Sequence, residues 1–436
     1  MTLQKKLISS KKKNLLYILL LIFSISFNSN LVFAQTVAQD TIGFKQYSGT
    51  VIDGKSKKEL EFATVTVNGT NISTITNTQG AFSIKVPKTI TDPKITVSYL
   101  GYTSQVTDLK FLNEENNAIK LETYIEELSE IEIAVKDAKS LVVEMLKRRE
   151  QNYFSNQTTM TGFYRETIKK RRSYVSLSEA VVEIYKQPYT NSKNDILKLF
   201  KARKSTDYNK LDTITLKLQG GPFSTLYMDI IKNPDMFFTE DGVNSYDFNF
   251  ETSTKIDNKP VYVVSFSPKK HVEEPLFIGK FYIDAKSIAL KSASFQLDLS
   301  NTEKAARLFI VKKPNRADVI PTEATYHVDY REKNGEWFYG YSRIQLGFKI
   351  DYDKRLFNSV YYLTMEMAIT DWEKNNESMS LKYRDRLKST AILTDEASGF
   401  SDPEFWGEYN VIEPEKPIES AIKKIQKQLE KSNKNN

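Results

Sequence analysis

Residues Asn68–Pro87 read NGTNISTITNTQGAFSIKVP. The stretch alternates apolar and polar residues, breaks at a polar turn around Gly80, and alternates again through Phe82, Ile84 and Val86. A period of two is that of a strand with one buried face, and glycine at the break supplies the positive φ of a tight turn. The stretch therefore reads as a β-hairpin. Its surroundings repeat the pattern. YSGTVID (47–53) ends at a polar turn, Gly54-Lys55-Ser56; EFATVTVNG (61–69) points Ala63, Val65 and Val67 one way; KITVSYLGY (94–102) adds a further strand. Strands so closely spaced, with no helical period between them, predict a small β-sandwich.

GTVID at 49–53, ATVTVNGT at 63–70, TNTQGAFSIKV at 76–86 and VSYLGY at 97–102 together resemble the carboxypeptidase regulatory-like domain over residues 45–125. That resemblance implies a transthyretin-like sandwich, which in exported proteins of the Bacteroidetes commonly sits just after the signal peptide. The family usually carries Asp before the turn; this chain has Asn77, which supports the same turn.

Residues 1–34 fit that placement. A basic start (Lys5, Lys6, Lys11, Lys12, Lys13) precedes the apolar run LLYILLLIFSISF (15–27). Small residues at Val32 and Ala34 then mark a cut before Gln35, the layout of a secretory signal peptide. The competing reading, an uncut anchor, meets a run shorter than the ~20 residues a spanning helix needs. No later segment is long and apolar enough to be a transmembrane helix. Taking the five signal-peptide lysines off the net charge of +7 leaves +2, with acids and bases interspersed. The basic stripe of a nucleic-acid binder is absent. The chain has no cysteine, which excludes disulfides, thiolate zinc sites and cysteine nucleophiles, and argues against a lipoprotein anchor. The expected location is the periplasm or outer-membrane surface of a Gram-negative bacterium.

After an acidic connector (122–135), Ala138, Leu141, Val142, Met145 and Leu146 form one apolar helix face, with Asp137 placed as N-cap and Lys147–Arg149 at the C-terminal end of the dipole. From about 158 to 395 the pattern is antiparallel β. SYVSLSEAVVEIYK (173–186) alternates with a slip near Glu179, and Asn334-Gly335 between alternating runs is a strong hairpin signal. The block 162–186 resembles one that follows this sandwich in Bacteroidetes proteins. The 261–299 region is similar to the lipoprotein-carrier-like half-barrel, which implies a curved sheet with an apolar concave face. The fold class expected is thus mainly β: a small N-terminal β-sandwich, then a helix and a large antiparallel curved sheet or half-barrel over 137–400. A polar linker and C-terminal helix (401–436) follow, in which Ile418, Ile422, Ile425 and Leu429 make a thin stripe. That stripe suits either a partner or membrane surface, or docking on its own domain.

Chemistry is harder to find. His271-Val272-Glu273-Glu274 has the H-x-x-E spacing of a zinc carboxypeptidase, but a catalytic zinc needs a third protein ligand. The other histidine, His327, lies in a predicted strand too close in sequence, and the loop reads better as solvated and charged. Two histidines and no cysteine leave little for Ser-His-Asp or Cys-His arrangements. No phosphate-cradling glycine motif appears, and no cofactor or metal site is expected. Glu166 and Glu179 lie on adjacent predicted strands near Arg165; these three are the candidate binding residues, with an ion pair inside the sheet as the alternative. Trp337, Tyr339 and Tyr341 fall on one predicted strand face, core or sugar-stacking platform. The functional expectation is an exported non-enzymatic binding or accessory protein holding an apolar or amphipathic ligand, with a lipid, a glycan or an outer-membrane protein as partner. The alternative is a hydrolase, by zinc or by paired carboxylates acting on glycans.

Overall fold

A computed structural model describes residues 43–124, 137–206, 220–234, 242–256 and 259–423, apart from 271, 273, 310–316, 354–357, 376–380, 400–404, 417 and 421. The signal peptide, most of the acidic connector, His271 with Glu273, and Ile425 and Leu429 lie outside the described residues. Within them the chain is mainly β.

Seven strands form the N-terminal module: β1 (Phe44–Asp53), β2 (Thr64–Val67), β3 (Ser73–Ile75), β4 (Ala81–Pro87), β5 (Lys94–Ser98), β6 (Gln105–Asp108) and β7 (Asn117–Leu121). They make two sheets, β4-β1-β7 and β3-β2-β5-β6. Val51, Phe82, Ile84 and Leu121 of the first bury completely against Val65, Val67, Ile95 and Val97 of the second. The stretch 68–87 departs from the expected hairpin in one respect: its two strands belong to different sheets, β3 pairing with β2 and β4 with β1. The turn itself is tight. Asn77 Oδ1 accepts from the backbone N–H of Gln79 (2.9 Å) and Ala81 (3.0 Å). Gly80 has φ +66°, and a Cβ there would meet the Val51 carbonyl at 2.6 Å. The turn is thus a corner between sheets, pressed onto β1.

The second region is one large sheet whose ten antiparallel strands do not close into a barrel. In chain order these are β8 (Thr158–Lys170), β9 (Ser173–Lys186), β10 (Ile196–Thr206), β11 (Tyr246–Ile256), β12 (Lys259–Pro268), β13 (Phe277–Asp284), β14 (Leu290–Leu297), β15 (Ala317–Lys333), β16 (Glu336–Tyr352) and β17 (Ser359–Lys374). The spatial order is β11-β12-β13-β14-β15-β16-β17-β8-β9-β10, and a two-residue strand, Ser398–Gly399, adds parallel to β10. Asn334 (φ 55°) and Gly335 (φ 84°) make the expected two-residue turn between β15 and β16.

One face of this sheet carries the main core. The helix α1 (Ala138–Lys147) buries Ala138, Leu141, Val142 and Met145 there, and Asp137 caps it by accepting from Ser140 N at 2.8 Å. A short helix, α2 (Pro222–Leu226), and Met228, Ile230 and Ile231 pack into the same core. The other face is covered by the sandwich, by residues 405–416 and by Ile418 and Ile422. Two expectations shift accordingly. A bulge at Gly340 breaks the register between Tyr330↔Tyr339 and Asp329↔Tyr341. Trp337 and Tyr339 therefore enter the main core and Tyr341 the opposite face, all three buried. The irregularity in β9 sits at Val175, not near Glu179. Every residue from Val175 to Val182 is buried because this part of the sheet is covered on both sides, which erases the alternation.

Residues 410–416 thread between sandwich and sheet. Thr74 Oγ1 donates to Val411 O (3.1 Å), Arg165 Nη2 to Ile412 O (2.7 Å), and Lys85 N to Asn410 Oδ1 (2.7 Å). Asn77 Nδ2 donates to Glu413 O at 3.0 Å. An aspartate could form the same turn but could not make this bond, which accounts for asparagine where the resembled family has Asp. Asn77→Asp is expected to keep the turn while setting a carboxylate against a carbonyl. The loss should be about 1–3 kcal/mol, read as a lowered denaturant midpoint; an unchanged midpoint would mean that the tail bond contributes nothing.

Candidate functional site

The continuous register of the large sheet lines up one row of side chains across eight strands. In order they are Lys280 (β13), Ser294 (β14), His327 (β15), Arg343 (β16), Glu366 (β17), Arg165 (β8), Glu179 (β9) and Arg203 (β10), each directly opposite the next. Direct cross-strand partners share a face, so all eight face the sandwich side. Glu179 bridges two arginines, Arg165 Nη2 at 2.7 Å and Arg203 Nη2 at 2.7 Å. Glu366 bridges Arg165 (3.6 Å) and Arg343 (3.0 Å) and accepts from Tyr341 Oη at 3.1 Å. Burial pushes the Glu179 carboxyl up, but the two guanidiniums outweigh it and hold it below its ordinary value.

Arg165 and Glu179, two of the three candidate binding residues, are therefore brought together as a buried pair, 3% and 0% exposed. Glu166, the third, points to the opposite face by strand alternation. There it accepts from Tyr164 Oη at 2.9 Å, and burial lifts its carboxyl to about 7. A second buried cluster lies on that face: Lys186 holds Asp195 (2.7 Å) and Asp229 (2.6 Å), and Asp229 accepts from Tyr189 and Tyr330.

At the β13–β16 end the row emerges into a cleft of about 1310 Å³. Its floor is the polar face of the large sheet, with Ser292, Ser294, Gln296, Thr325, His327, Asp329 and Gln345. Its roof is the sandwich sheet, with Thr64, Thr66, Thr96, Ser98 and Tyr99. The sandwich is tied down on both sides of this space. On one, Ser73 Oγ donates to Ile369 O (3.2 Å) and Lys333 Nζ to Thr70 O (2.9 Å); on the other, Gly101 N donates to Lys255 O (2.9 Å). Phe62 projects from the sandwich with φ +64° and stacks on both His327 and Tyr341, ring centroids 5.6 Å away.

On the floor three side chains form a hydrogen-bonded chain. Ser294 Oγ lies 2.7 Å from His327 Nδ1, and His327 Nε2 lies 2.9 Å from Asp329 Oδ2. Burial pushes the Asp329 carboxyl up, but His327 beside it outweighs this and it is held below its ordinary value. An ionised carboxylate only accepts, so Nε2 carries a proton toward it, and in the neutral ring Nδ1 is then the nitrogen that accepts from the Ser294 hydroxyl. Sequence reasoning weighed His327 only as a further zinc ligand and passed over Ser294 and Asp329. His327-x-Asp329 was visible as a same-face pair, but Ser294 joins it only through the β14–β15 register.

Residues 47–135 match the CarboxypepD_reg-like domain family. The sandwich is thus the module that the motifs around Gly80 resemble. No curated protein matches the chain. Solved structures align with part of the chain at low similarity. A putative outer-membrane lipoprotein-sorting protein domain from Vibrio parahaemolyticus is 10% identical, covering 57% of this chain and 95% of its own, with a TM-score of 0.24. A DUF1329 family protein from Desulfovibrio piger is 10% identical (56% and 96% covered, TM-score 0.24). A LolA superfamily protein from Nitrosomonas europaea is 9% identical (56% and 95%, TM-score 0.21). At these values the likeness carries nothing about ligands.

Two substitutions separate folding from binding in the row. Glu179→Gln leaves two buried guanidiniums facing a neutral amide and is expected to cost about 3–5 kcal/mol, measured by chemical denaturation. A loss under 1 kcal/mol together with weakened ligand binding would instead make the pair a binding element. Glu166 gives a pH signature. Its folded value, about 7, lies above its ordinary 4.5, so the fold favours the neutral acid. The charged form penalises the fold progressively as pH rises from 4.5 through 7, reaching about 3 kcal/mol. Glu166→Gln should therefore raise stability at pH 8 by up to that amount and change it little at pH 4, in paired thermal melts.

Proposed function

We propose that the protein is an exported binding or accessory protein whose ligand lies between the sandwich and the polar face of the large sheet. The observation that carries this reading is the cleft of about 1310 Å³ itself, walled by both modules. It exceeds the 300–1,000 Å³ usual for a small-molecule site, enough for an extended ligand. The expected apolar face is not where the space lies: in the described residues α1, α2 and residues 228–231 pack onto that face. The cleft walls instead mix hydroxyls, the amides of Gln296 and Gln345, and cations, with Val106 and Ile278 as exposed apolar rim residues. That mixture fits an amphipathic ligand with a polar, hydrogen-bonding end. A periplasmic or outer-membrane-surface location rests on the amino-terminal sequence, and the absence of any helix among the described residues long and apolar enough to cross a membrane is compatible with it.

The test is to purify the full-length gene product from its native envelope, extract it with organic solvent and identify bound molecules by mass spectrometry. Ser98→Trp, in the roof, fills the cleft. An amphiphile present in wild type and lost in the folded Ser98→Trp variant is the expected result; extracts that match each other overturn the reading. The intact mass should begin at Gln35, and a retained leader would overturn cleavage at that site.

A further inference from the structure

We propose that Ser294 is a nucleophile, with His327 as its base and Asp329 as the positioning residue, and that the cleft hydrolyses carboxylic esters. This goes beyond the binding role and uses the same cleft. The geometry gives the three functions an acyl transfer needs. Ser294 Oγ is 2.7 Å from an imidazole nitrogen whose proton is held on the other nitrogen, 2.9 Å from Asp329 Oδ2. The ring is fixed by Phe62 stacked on it at 5.6 Å with an interplanar angle of 27°. Ser294 and His327 are half-buried rather than sealed, and both line the cleft.

Relative to the familiar arrangement the two ring nitrogens exchange places, the base being Nδ1 and the oriented nitrogen Nε2. This is a consequence of the sheet. Ser294 sits directly across from His327, whereas Asp329 is two residues along the same strand. Two basic side chains flank the pair, Lys280 directly across from Ser294 on β13 and Arg343 directly across from His327 on β16, each ion-paired on its far side, Lys280 with Glu251 and Arg343 with Glu366. Both line the cleft, and a developing oxyanion would draw on them in competition with those carboxylates. The backbone N–H groups of β14 are committed to its two neighbours, so β14 itself offers no backbone oxyanion hole. Without a backbone oxyanion hole on β14 the less demanding acyl transfer is favoured, and an alcohol leaves more readily than an amine, which is why the substrate class is an ester.

In the first step Ser294 Oγ bonds to the ester carbonyl carbon as its proton passes to His327 Nδ1. The tetrahedral intermediate then breaks its bond to the alcohol oxygen, which takes that proton and leaves. Water attacks the acyl-serine, giving its proton to Nδ1. Cleavage of the acyl bond returns that proton to Ser294 Oγ and releases the acid.

The experiment treats the mature full-length protein with diisopropyl fluorophosphate and locates the adduct by peptide mass spectrometry, with p-nitrophenyl butyrate turnover alongside. The expected results are one adduct at Ser294, none in Ser294→Ala, and labelling slowed at least about 10²-fold in His327→Ala. Asp329→Asn should slow it similarly and Asp329→Glu recover part of the rate, with near-ultraviolet circular dichroism unchanged. An unlabelled Ser294 in folded wild type, or a labelling rate indifferent to His327→Ala, overturns the proposal. Either result leaves the solvent-extraction result standing, so the binding reading and this one fail separately.

Discussion

The row of alternating charges Arg203–Glu179–Arg165–Glu366–Arg343 is the constraint on which the rest of the structure depends. Each ion removed from water costs several kcal/mol, returned only where an opposite charge stands at contact distance. Here every carboxylate sits between two guanidiniums, and Arg165 spends its remaining donor capacity on the Ile412 carbonyl. The row also pins the register. A slip of one residue in any of its strands would turn that strand's charge into the aliphatic core on the opposite face. The charges are thus less a source of net stability than a selector among pairings that hydrophobic patterning alone leaves close in energy.

A charged row on a sheet face needs a cover, and the sandwich with the tail supplies it. Trp406 meets Phe163 edge-on at 5.4 Å and takes the Arg203 guanidinium 4.8 Å above its ring. Phe62 does the same for Arg343 at 5.3 Å while holding φ +64°, a conformation a bulky residue rarely adopts. Such backbone strain is of the order of 1–3 kcal/mol. It persists because the ring is gripped between His327, Tyr341 and Arg343. The sandwich is consequently a packed part of the large domain, not a module on a free tether.

How much of this could be read from sequence follows from the range of each interaction. Local signals were legible: the corner around Gly80, the capped helix after Asp137, the Asn334-Gly335 turn. The Arg165–Glu179 pair was within reach because β8 and β9 are consecutive strands joined by a short turn. Extending it to Glu366, Arg343 and Arg203 requires the pairing of β17 with β8 and of β9 with β10, which no period of two specifies. Where the sheet is buried on both faces, as through Val175–Val182, the alternation disappears altogether. The cleft was hidden for a further reason: its roof residues Thr96 and Ser98 lie nearly 200 residues from Ser294 on its floor, and no local pattern shows that they line one space.

The row is asymmetric, and the asymmetry places the cleft. From Arg203 to Arg343 each charge has an opposite neighbour and an apolar lid, so that end closes. Beyond Arg343 the next two positions are His327 and Ser294, which cannot complete the alternation, and the following one is again a cation, Lys280. Both of these cations are paired away from the gap, Arg343 with Glu366 and Lys280 with Glu251, so the floor between them is polar, with Asp329 on the adjacent row. The sandwich cannot seal such a surface with apolar side chains without stranding it, so the polar Thr64, Thr66, Thr96 and Ser98 face it across water-accessible space. The cleft thus sets hydroxyls and ion-paired side chains on its floor against apolar surface at the Val106–Ile278 rim.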